Sequence, residues 1–563
     1  MADNKLPLGD LFVNSTRPGL PWRLAAAILA IGLALAPWTT LWDRDEPRFA
    51  QATVEMLDSG QVLYPTFNGQ LRPDKPILIY WLMSLSMGWL GPGELGARFW
   101  SPVALAAAAL LTFGIGRRLI SSRAGLWAMA MLAATPLALG EGLAATTDAV
   151  LLAAITGALA AFAAALVRGP RPIHVMALAA ALALAQLAKG PVGLAVPGLA
   201  MIGALWGLWR LGGTDARRIP VLASMAVLAA VAGVGFFLLW AVPADRATFG
   251  EFARRGLGHH VVERSLTPLE GHGGGFFASL PFYFAVVLVA FAPWTLYLPA
   301  AVSAVLGGRV GGGRGRALLV GWVALPFVMF TVVATKLPHY ILPLWPALAL
   351  AVAGTLDAER EGRLAPRDRS WLRRGAWFFA PVALLEAAGL LAVAWRPPTP
   401  GLRWPAVVVA AALLVTAAVA LRRHLAGDVP RGAAVLLTGT VLTLVLAGAW
   451  LLPVLDHVKP IPPLAAAIRR TPADAPLATY EFDEPSLVFY ARRWPVAPLA
   501  SDRAVAAWAR AGGRGVLVIP RDALDRVRAA GGPLPLTEIA AVRGLNVSKG
   551  RWVELVALGR NLR

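Results

Sequence analysis

Of 563 residues, 57% are hydrophobic and only 15% charged, against about 25% charged in soluble domains, which excludes a soluble globular class. The formal charge of +20 invites a nucleic-acid reading, but the arginines gather in short connections between apolar runs, so membrane topology explains them and no nucleic-acid partner is needed. Cysteine is absent, which removes disulfides and thiolate metal sites and leaves the redox compartment open.

The amino end carries no small-residue cleavage signal, so the first apolar run, Leu24 to Leu41, reads as a retained span. Runs near the roughly 20 residues needed to cross a bilayer then recur at 98–116, 124–140, 148–167, 173–188, 191–209, 219–241, 277–306, 317–335, 340–356, 376–395, 404–422 and 432–454. The basic connections include RRLISSR (Arg117 to Arg123), RGPR (Arg168 to Arg171), RLGGTDARR (Arg210 to Arg218), GGRVGGGRGR (Gly307 to Arg316) and RRHLAGDVPR (Arg422 to Arg431). Placing them all in the cytoplasm is possible with thirteen spans, starting inside and finishing outside. That threading requires Ile77 to Leu90 to be interfacial or re-entrant rather than spanning. From 456 onward short strand-like segments (PLATYEF, SLVFYARR, GVLVIP, RWVELVALG) alternate with helical ones, predicting a small α/β domain over 456–563 beside a membrane domain over 1–455. The fold class expected is therefore an α-helical polytopic membrane protein with a small α/β carboxyl-terminal domain.

The outer loops, 42–76, 141–148, AKGP around Lys189, 242–276 and 335–340, hold the unusual residues. WDRDEPRFA contains D-E-x-R, with Asp45, Glu46 and Arg48 opening an amphipathic helix. A carboxylate held near a guanidinium suits a general base or a sugar-orienting group, and acids at a helix start suit the dipole equally well. Asp74 and Lys75 precede the 77–90 run: a lysine at headgroup depth binds phosphate as a point charge, and Asp74 is its partner or a metal ligand. Asp148, at the mouth of a span, is a second loop acid or a helix cap. The 242–276 loop concentrates His259, His260 and His272 with Arg254, Arg255 and Arg264; the histidines with loop carboxylates suggest a divalent metal, zinc or magnesium, and the arginines suit phosphate. In TKLPHY, Lys336, His339 and Tyr340 fit phosphate binding or an interfacial anchor.

In this order, WDRDEPRFA, DKP before YW, TDAVLLA, HHVVERS with HGGGFFASLPFYF, and KLPHYILP resemble the polyprenyl-phosphate-sugar-dependent glycosyltransferases of GT-C architecture. The likeness is to the lipid A aminoarabinose transferase (ArnT) branch, related to the protein O-mannosyltransferases, and covers nearly the whole chain. It implies a bacterial inner-membrane enzyme, monomeric among membrane lipids, with a cytoplasmic amino terminus and a periplasmic active site and carboxyl-terminal domain. The donor it implies is undecaprenyl phosphate carrying one sugar. The acceptor is lipid A or lipopolysaccharide; another glycan, a protein, or a transporter or flippase of lipid-linked sugars are the alternatives. Carried over, Asp45 is the D-E-x-R acid and Asp148 the second loop acid, and Lys75, Arg264 and Tyr340 bind the lipid phosphate; from the residues themselves Glu46 joins the catalytic acids, and Arg48 and Lys336 the phosphate ligands. Asp74, His259 and His260 are the metal candidates. The sequence departs from the aminoarabinose enzymes in having DKP for their EKP and a one-residue-longer histidine-to-arginine spacing in HHVVER. The mechanism expected is one inverting displacement, with the cations stabilising the departing phosphate.

Overall fold

The structure, a computed structural model, describes residues 19–256, 279–395 and 400–562. Among these, eleven helices are long and apolar enough to cross a bilayer, and two bent pairs raise the count to thirteen. Each falls on one of the thirteen expected runs. The bent pairs, Ser122–Ala133 with Pro136–Leu143 and Phe282–Ala290 with Trp294–Leu306, turn by 64° and 111°. Both breaks carry a proline, Pro136 and Pro293, which lacks the N–H a continuous helix needs. Leu78–Leu90 is a helix of 13 residues, about 20 Å long and too short to cross. It packs on the amphipathic helix Asp45–Ser59 instead.

Small residues set a close helix contact. A Cβ on Gly203 would stand 2.6 Å from the Gly321 Cα, and one on Gly207 would stand 2.8 Å from the Ala317 Cβ. Helices Val192–Leu211 and Gly312–Val332 therefore meet backbone to backbone, the approach that glycine permits where hydrocarbon offers no hydrophobic drive.

The first loop carries a hairpin, β1 (Thr66–Phe67) and β2 (Gln70–Leu71). Its turn is held by Glu55 of the 45–59 helix, which accepts from Thr66 Oγ1 at 2.8 Å, Asn68 N at 2.7 Å and Gly69 N at 3.1 Å. The remaining strands form one mixed sheet at the carboxyl end: β3 (Leu477–Thr479), β4 (Ala497–Pro498), β5 (Gly515–Pro520), β6 (Thr537–Asn546) and β7 (Arg551–Arg560), in the order β4-β3-β5-β7-β6. Strands β3, β4 and β5 run parallel, while β7 is antiparallel to both β5 and β6. Alternation along β5 explains the layers. Val516 and Val518 pack with Ile461, Leu464 and Leu487 on one face, and Leu517 and Ile519 pack with Val505, Leu524 and Val527 on the other. One expectation fails here: SLVFYARR is not a strand but lies in the helix Pro485–Ala491. A short apolar run buried on every side has no readable period, and Pro485 at its first turn favours the helix.

That helix seats the sheet domain on the first loop. The Ser486 amide donates to Asp43 Oδ1 at 2.9 Å and its hydroxyl donates to Oδ2. The Tyr490 hydroxyl accepts from Leu41 N at 2.6 Å and donates to Glu94 at 2.8 Å. Lys459 bridges Asp456 at 2.7 Å and lies 3.6 Å from the Trp42 ring centroid. Burial pushes the Asp43 carboxyl up to about 6, against the Ser486 hydrogen bonds and with help from the Glu484 charge. A raised carboxyl binds its proton more tightly folded than unfolded, so its stabilisation is complete below about pH 4 and is lost as pH rises through about 6. Domain docking, followed by limited proteolysis between pH 5 and 7.5, is expected to tighten toward pH 5 in the native chain, with Asp43→Asn flattening that dependence; an unchanged slope in the variant refutes the assignment.

Candidate active site

The site begins with how the loop after the first span is tied down. Arg98 opens its fork at the end of that span: Nη1 donates to Ala36 O and Thr39 O, each at 2.7 Å, and Nη2 to Thr40 O at 3.0 Å. The same guanidinium grips Glu46 with two bonds, from Nε at 2.8 Å and Nη2 at 2.7 Å. Glu46 further accepts from Trp42 N at 2.7 Å and Ala145 N at 2.6 Å. Burial works against its charge, yet the Arg98 charge and hydrogen bonds, with those two amides, hold the Glu46 carboxyl below the usual carboxylate range. This one buried pair joins the first span, the 45–59 helix, the Glu94–Arg98 turn and the 144–147 loop.

Asp45, one residue earlier, is exposed at the first turn of its helix. Its charge reaches Arg48, Arg72, Glu141 and His339, so it faces the groups that Glu46 does not. Arg48 lies one helical turn on. Burial, then the charges of Arg72 and Arg44, depress its pKa, but a guanidinium stays charged, and Arg48 makes no hydrogen bond among the described residues. Arg72 follows β2. Its Nε donates to Tyr80 Oη at 3.0 Å, its Nη1 stands 3.3 Å from Asp74, and its guanidinium lies 5.1 Å from the Phe49 ring centroid.

A second set of elements closes on the first. Asp148 starts the helix Asp148–Arg168 and Lys189 ends the helix Pro172–Lys189, so each charge complements its helix dipole. Asp148 is buried and Lys189 nearly so, and the two side chains bond at 2.6 Å. Lys189 also lies 4.8 Å from the Tyr340 ring centroid. His339 Nδ1 stands 3.8 Å from Glu141, which accepts from Thr146 Oγ1 at 2.8 Å. The Lys75 charge acts on both Asp148 and His339. Four loops thus bring Asp45, Arg48, Arg72, Lys75, Asp148, Lys189, His339 and Tyr340 to one end of the helical region.

Several expected site residues lie elsewhere or are otherwise engaged. Lys336, expected to bind phosphate, is buried and donates to Thr331 O at 2.6 Å and Val333 O at 2.9 Å. It closes the carboxyl end of the helix Gly312–Val332, whose last carbonyls lack partners of their own. Lys336→Met is expected to lower stability by about 1–3 kcal/mol while leaving donor KM unchanged, read by thermal unfolding and turnover of the purified protein. A raised KM at normal stability contradicts this. Asp74, named as a metal candidate, pairs with Arg72, and His259, His260 and Arg264 lie outside the described residues. Among the described residues no three His, Asp or Glu side chains gather in a way that could hold a metal ion. Conversely, Arg72 and Glu141 join the cluster although no motif gives them a role, and so does Lys189, which the sequence marks only as an outer-loop residue in AKGP. The signal for Lys189 was a charge closing an apolar span before Gly190 and Pro191, which is rare without a purpose.

Comparison with known proteins places this geometry. A structure of ArnT from Cupriavidus metallidurans bound to undecaprenyl phosphate superposes with a TM-score of 0.76 at 22% identity, covering 96% of this chain and 98% of that one. The chain has the GT-C fold of ArnT. The family described as dolichyl-phosphate-mannose-protein mannosyltransferase matches residues 74–237, a stretch that holds Lys75, Glu141, Asp148 and Lys189. An undecaprenyl phosphate-alpha-4-amino-4-deoxy-L-arabinose arabinosyl transferase from Edwardsiella ictaluri is 30% identical over 336 residues, 59% of this chain and 58% of that protein. A second such transferase, from Sodalis glossinidius, is 30% identical over 353 residues, 61% of this chain and 60% of that protein. The matched stretch thus spans about three fifths of each relative. Within the ArnT fold, the D-E-x-R turn and the Asp148–Lys189 pair sit at the same end, beside the docked sheet domain.

Proposed function

We propose that this chain is an integral-membrane glycosyltransferase that moves one sugar from undecaprenyl phosphate to lipid A by inverting displacement at the anomeric carbon. The observation that carries the reading is the mixed cluster: an exposed carboxylate, Asp45, whose charge reaches Arg48 and Arg72, beside Asp148, which pairs with Lys189 and feels the charge of Lys75. The names of the relatives, which carry undecaprenyl phosphate and a transferred amino sugar, support the donor, and the fold shared with ArnT is consistent with it.

In this reading the polyprenyl chain lies in the bilayer and its phosphate meets the cations. Arg48, with no hydrogen bond to give up among the described residues, and Lys75 bind the phosphate oxygens as the anomeric C–O bond breaks and negative charge collects on the leaving group. The Tyr340 hydroxyl and the loop Arg264 complete that set. An ionised lipid A phosphate needs no general base to attack, so Asp45 orients the sugar and balances the cationic character that develops at its ring. Asp45 also offers a carboxylate to the ammonium of an amino sugar. Asp148 holds Lys189 in place and charged, and Glu46 positions Asp45 without touching substrate. The amino terminus lies in the cytoplasm, the cluster and sheet domain in the periplasm of a bacterial inner membrane, and the protein works as a monomer.

The test is mass spectrometry of lipid A and polyprenyl phosphates from cells with the intact gene, a deletion, and Asp45→Asn. Loss of one sugar from lipid A with its accumulation on polyprenyl phosphate in both altered strains supports the reading. A deletion that redistributes the lipid-linked sugar across the membrane, with Asp45→Asn behaving as the intact protein, makes the chain a transporter.

A further inference from the structure

The basic end of the helical region, opposite the cluster, treats its arginines in two ways. Arg123 pairs with Asp357 at 3.2 Å, Arg314 with Asp215 at 2.8 Å, Arg363 with Glu361 at 2.6 Å, Arg369 with Glu359 at 3.1 Å and Arg431 with Asp428 at 3.0 Å. Arg117, Arg118, Arg168 and Arg171 have no carboxylate partner among the described residues. They are also close to one another: Arg118 feels the charges of Arg117 and Arg168, and His174 those of Arg171, Arg168 and Arg118.

Three of these arginines and His174 edge a groove of about 1220 Å³, bordered by the helices Trp100–Leu119, Asp148–Arg168 and Pro172–Lys189 and by Pro21 and Trp22. Its wall is small and apolar, with Gly114, Gly157, Ala160 and Ala164 leaving the space that larger side chains would fill. At its basic end two polar atoms are unsatisfied. His174 is 8% exposed and its Nδ1 has no hydrogen-bond partner, and the Arg118 Nε is buried and likewise unpaired while its Nη1 donates to Gly114 O at 2.7 Å. Unpaired like charges beside desolvated polar atoms are costly, and an anion placed among them removes both costs. An apolar trough leading away from such a cluster at a membrane boundary matches a lipid headgroup with its chain.

We propose that this groove binds an anionic phospholipid of the adjoining leaflet, its phosphodiester held by Arg117, Arg118, Arg168 and His174 and an acyl chain laid along the glycine and alanine wall. The site is separate from the candidate active site: Asp148 and Arg168 are opposite ends of one 21-residue helix, about 30 Å apart. The bound lipid ties the inner ends of helices whose outer ends carry Asp148 and Lys189.

Native mass spectrometry of the purified full chain, with phosphatidylglycerol or phosphatidylcholine added to the detergent, tests this. The wild type is expected to retain phosphatidylglycerol in preference to phosphatidylcholine, and Arg118→Gln with Arg168→Gln is expected to weaken that retention by about tenfold or more. Ala160→Phe, which fills the wall and changes no charge, is expected to weaken it as well. Arg363→Gln, the same loss of charge at a paired arginine, leaves it unchanged. Equal retention by the double variant overturns the proposal, as does displacement of the lipid by glycerol phosphate or by a polyprenyl phosphate at equal concentration. The first would mean that the arginines are only solvated, and the second that no chain sits in the groove or that the donor lipid occupies it.

Discussion

Asp45→Asn is expected to lower transfer by about 10²–10³-fold while the purified protein unfolds within about 0.5 kcal/mol of the native chain. The asymmetry follows from position. Asp45 is exposed at a helix start, so its loss removes a favourable dipole interaction of about 0.3–1 kcal/mol at most, partly replaced by the asparagine side chain, a good residue at helix starts. The same carboxylate faces Arg48, Arg72 and the Glu141–His339 pair, and an amide of equal size cannot balance a sugar cation. Steady-state transfer by purified protein, paired with thermal unfolding, separates the two quantities. The split between constants is informative too: a loss in kcat at unchanged donor KM fits a group used in the transition state, whereas a rise in KM alone fits ground-state binding. Near-normal turnover by Asp45→Asn ends the assignment.

Some of this was legible in the chain and some was not, for physical reasons. Crossing a bilayer imposes a length and a polarity on every span, so thirteen runs could be read from hydropathy alone, including the two that bend. Adjacent acids impose nothing comparable. Asp45 and Glu46 are equivalent in sequence, and only the direction of the helix turn decides that one meets solvent and the other meets Arg98, 52 positions away. Arg98 itself sits in ELGARFW, a stretch with no chemical motif, because its partners are backbone carbonyls and a carboxylate far away in the chain. Lys336 stands among residues that do face the cluster, yet a lysine just after a helix finds that helix's own carbonyls first. The carboxyl-terminal sheet was visible as short strand-like segments after the last apolar run. Its seating on Asp43 was not, since the contact is made by a helix that reads as a strand.

Arg98→Met is expected to cost about 3–5 kcal/mol of stability, because it leaves Glu46 charged, buried and unpaired and strips partners from the carbonyls of Ala36, Thr39 and Thr40. Glu46→Gln is milder, since the amide still accepts a hydrogen bond, and is expected to reduce both stability and transfer only in part. The informative variant is Glu46→Leu with Arg98→Met. Removing both charges at once leaves no uncompensated ion, so much of the stability lost in Arg98→Met should return. Transfer should not return with it, because Arg98 also fixes the path of residues 36–46, and that path aims Asp45 at Arg48 and Glu141. Unfolding temperature and transfer rate are therefore expected to separate in the double variant. Recovery of both would make the pair a burial device with no part in positioning. A Glu46→Gln protein of native stability but as inactive as Asp45→Asn would instead put the Glu46 carboxylate on the substrate.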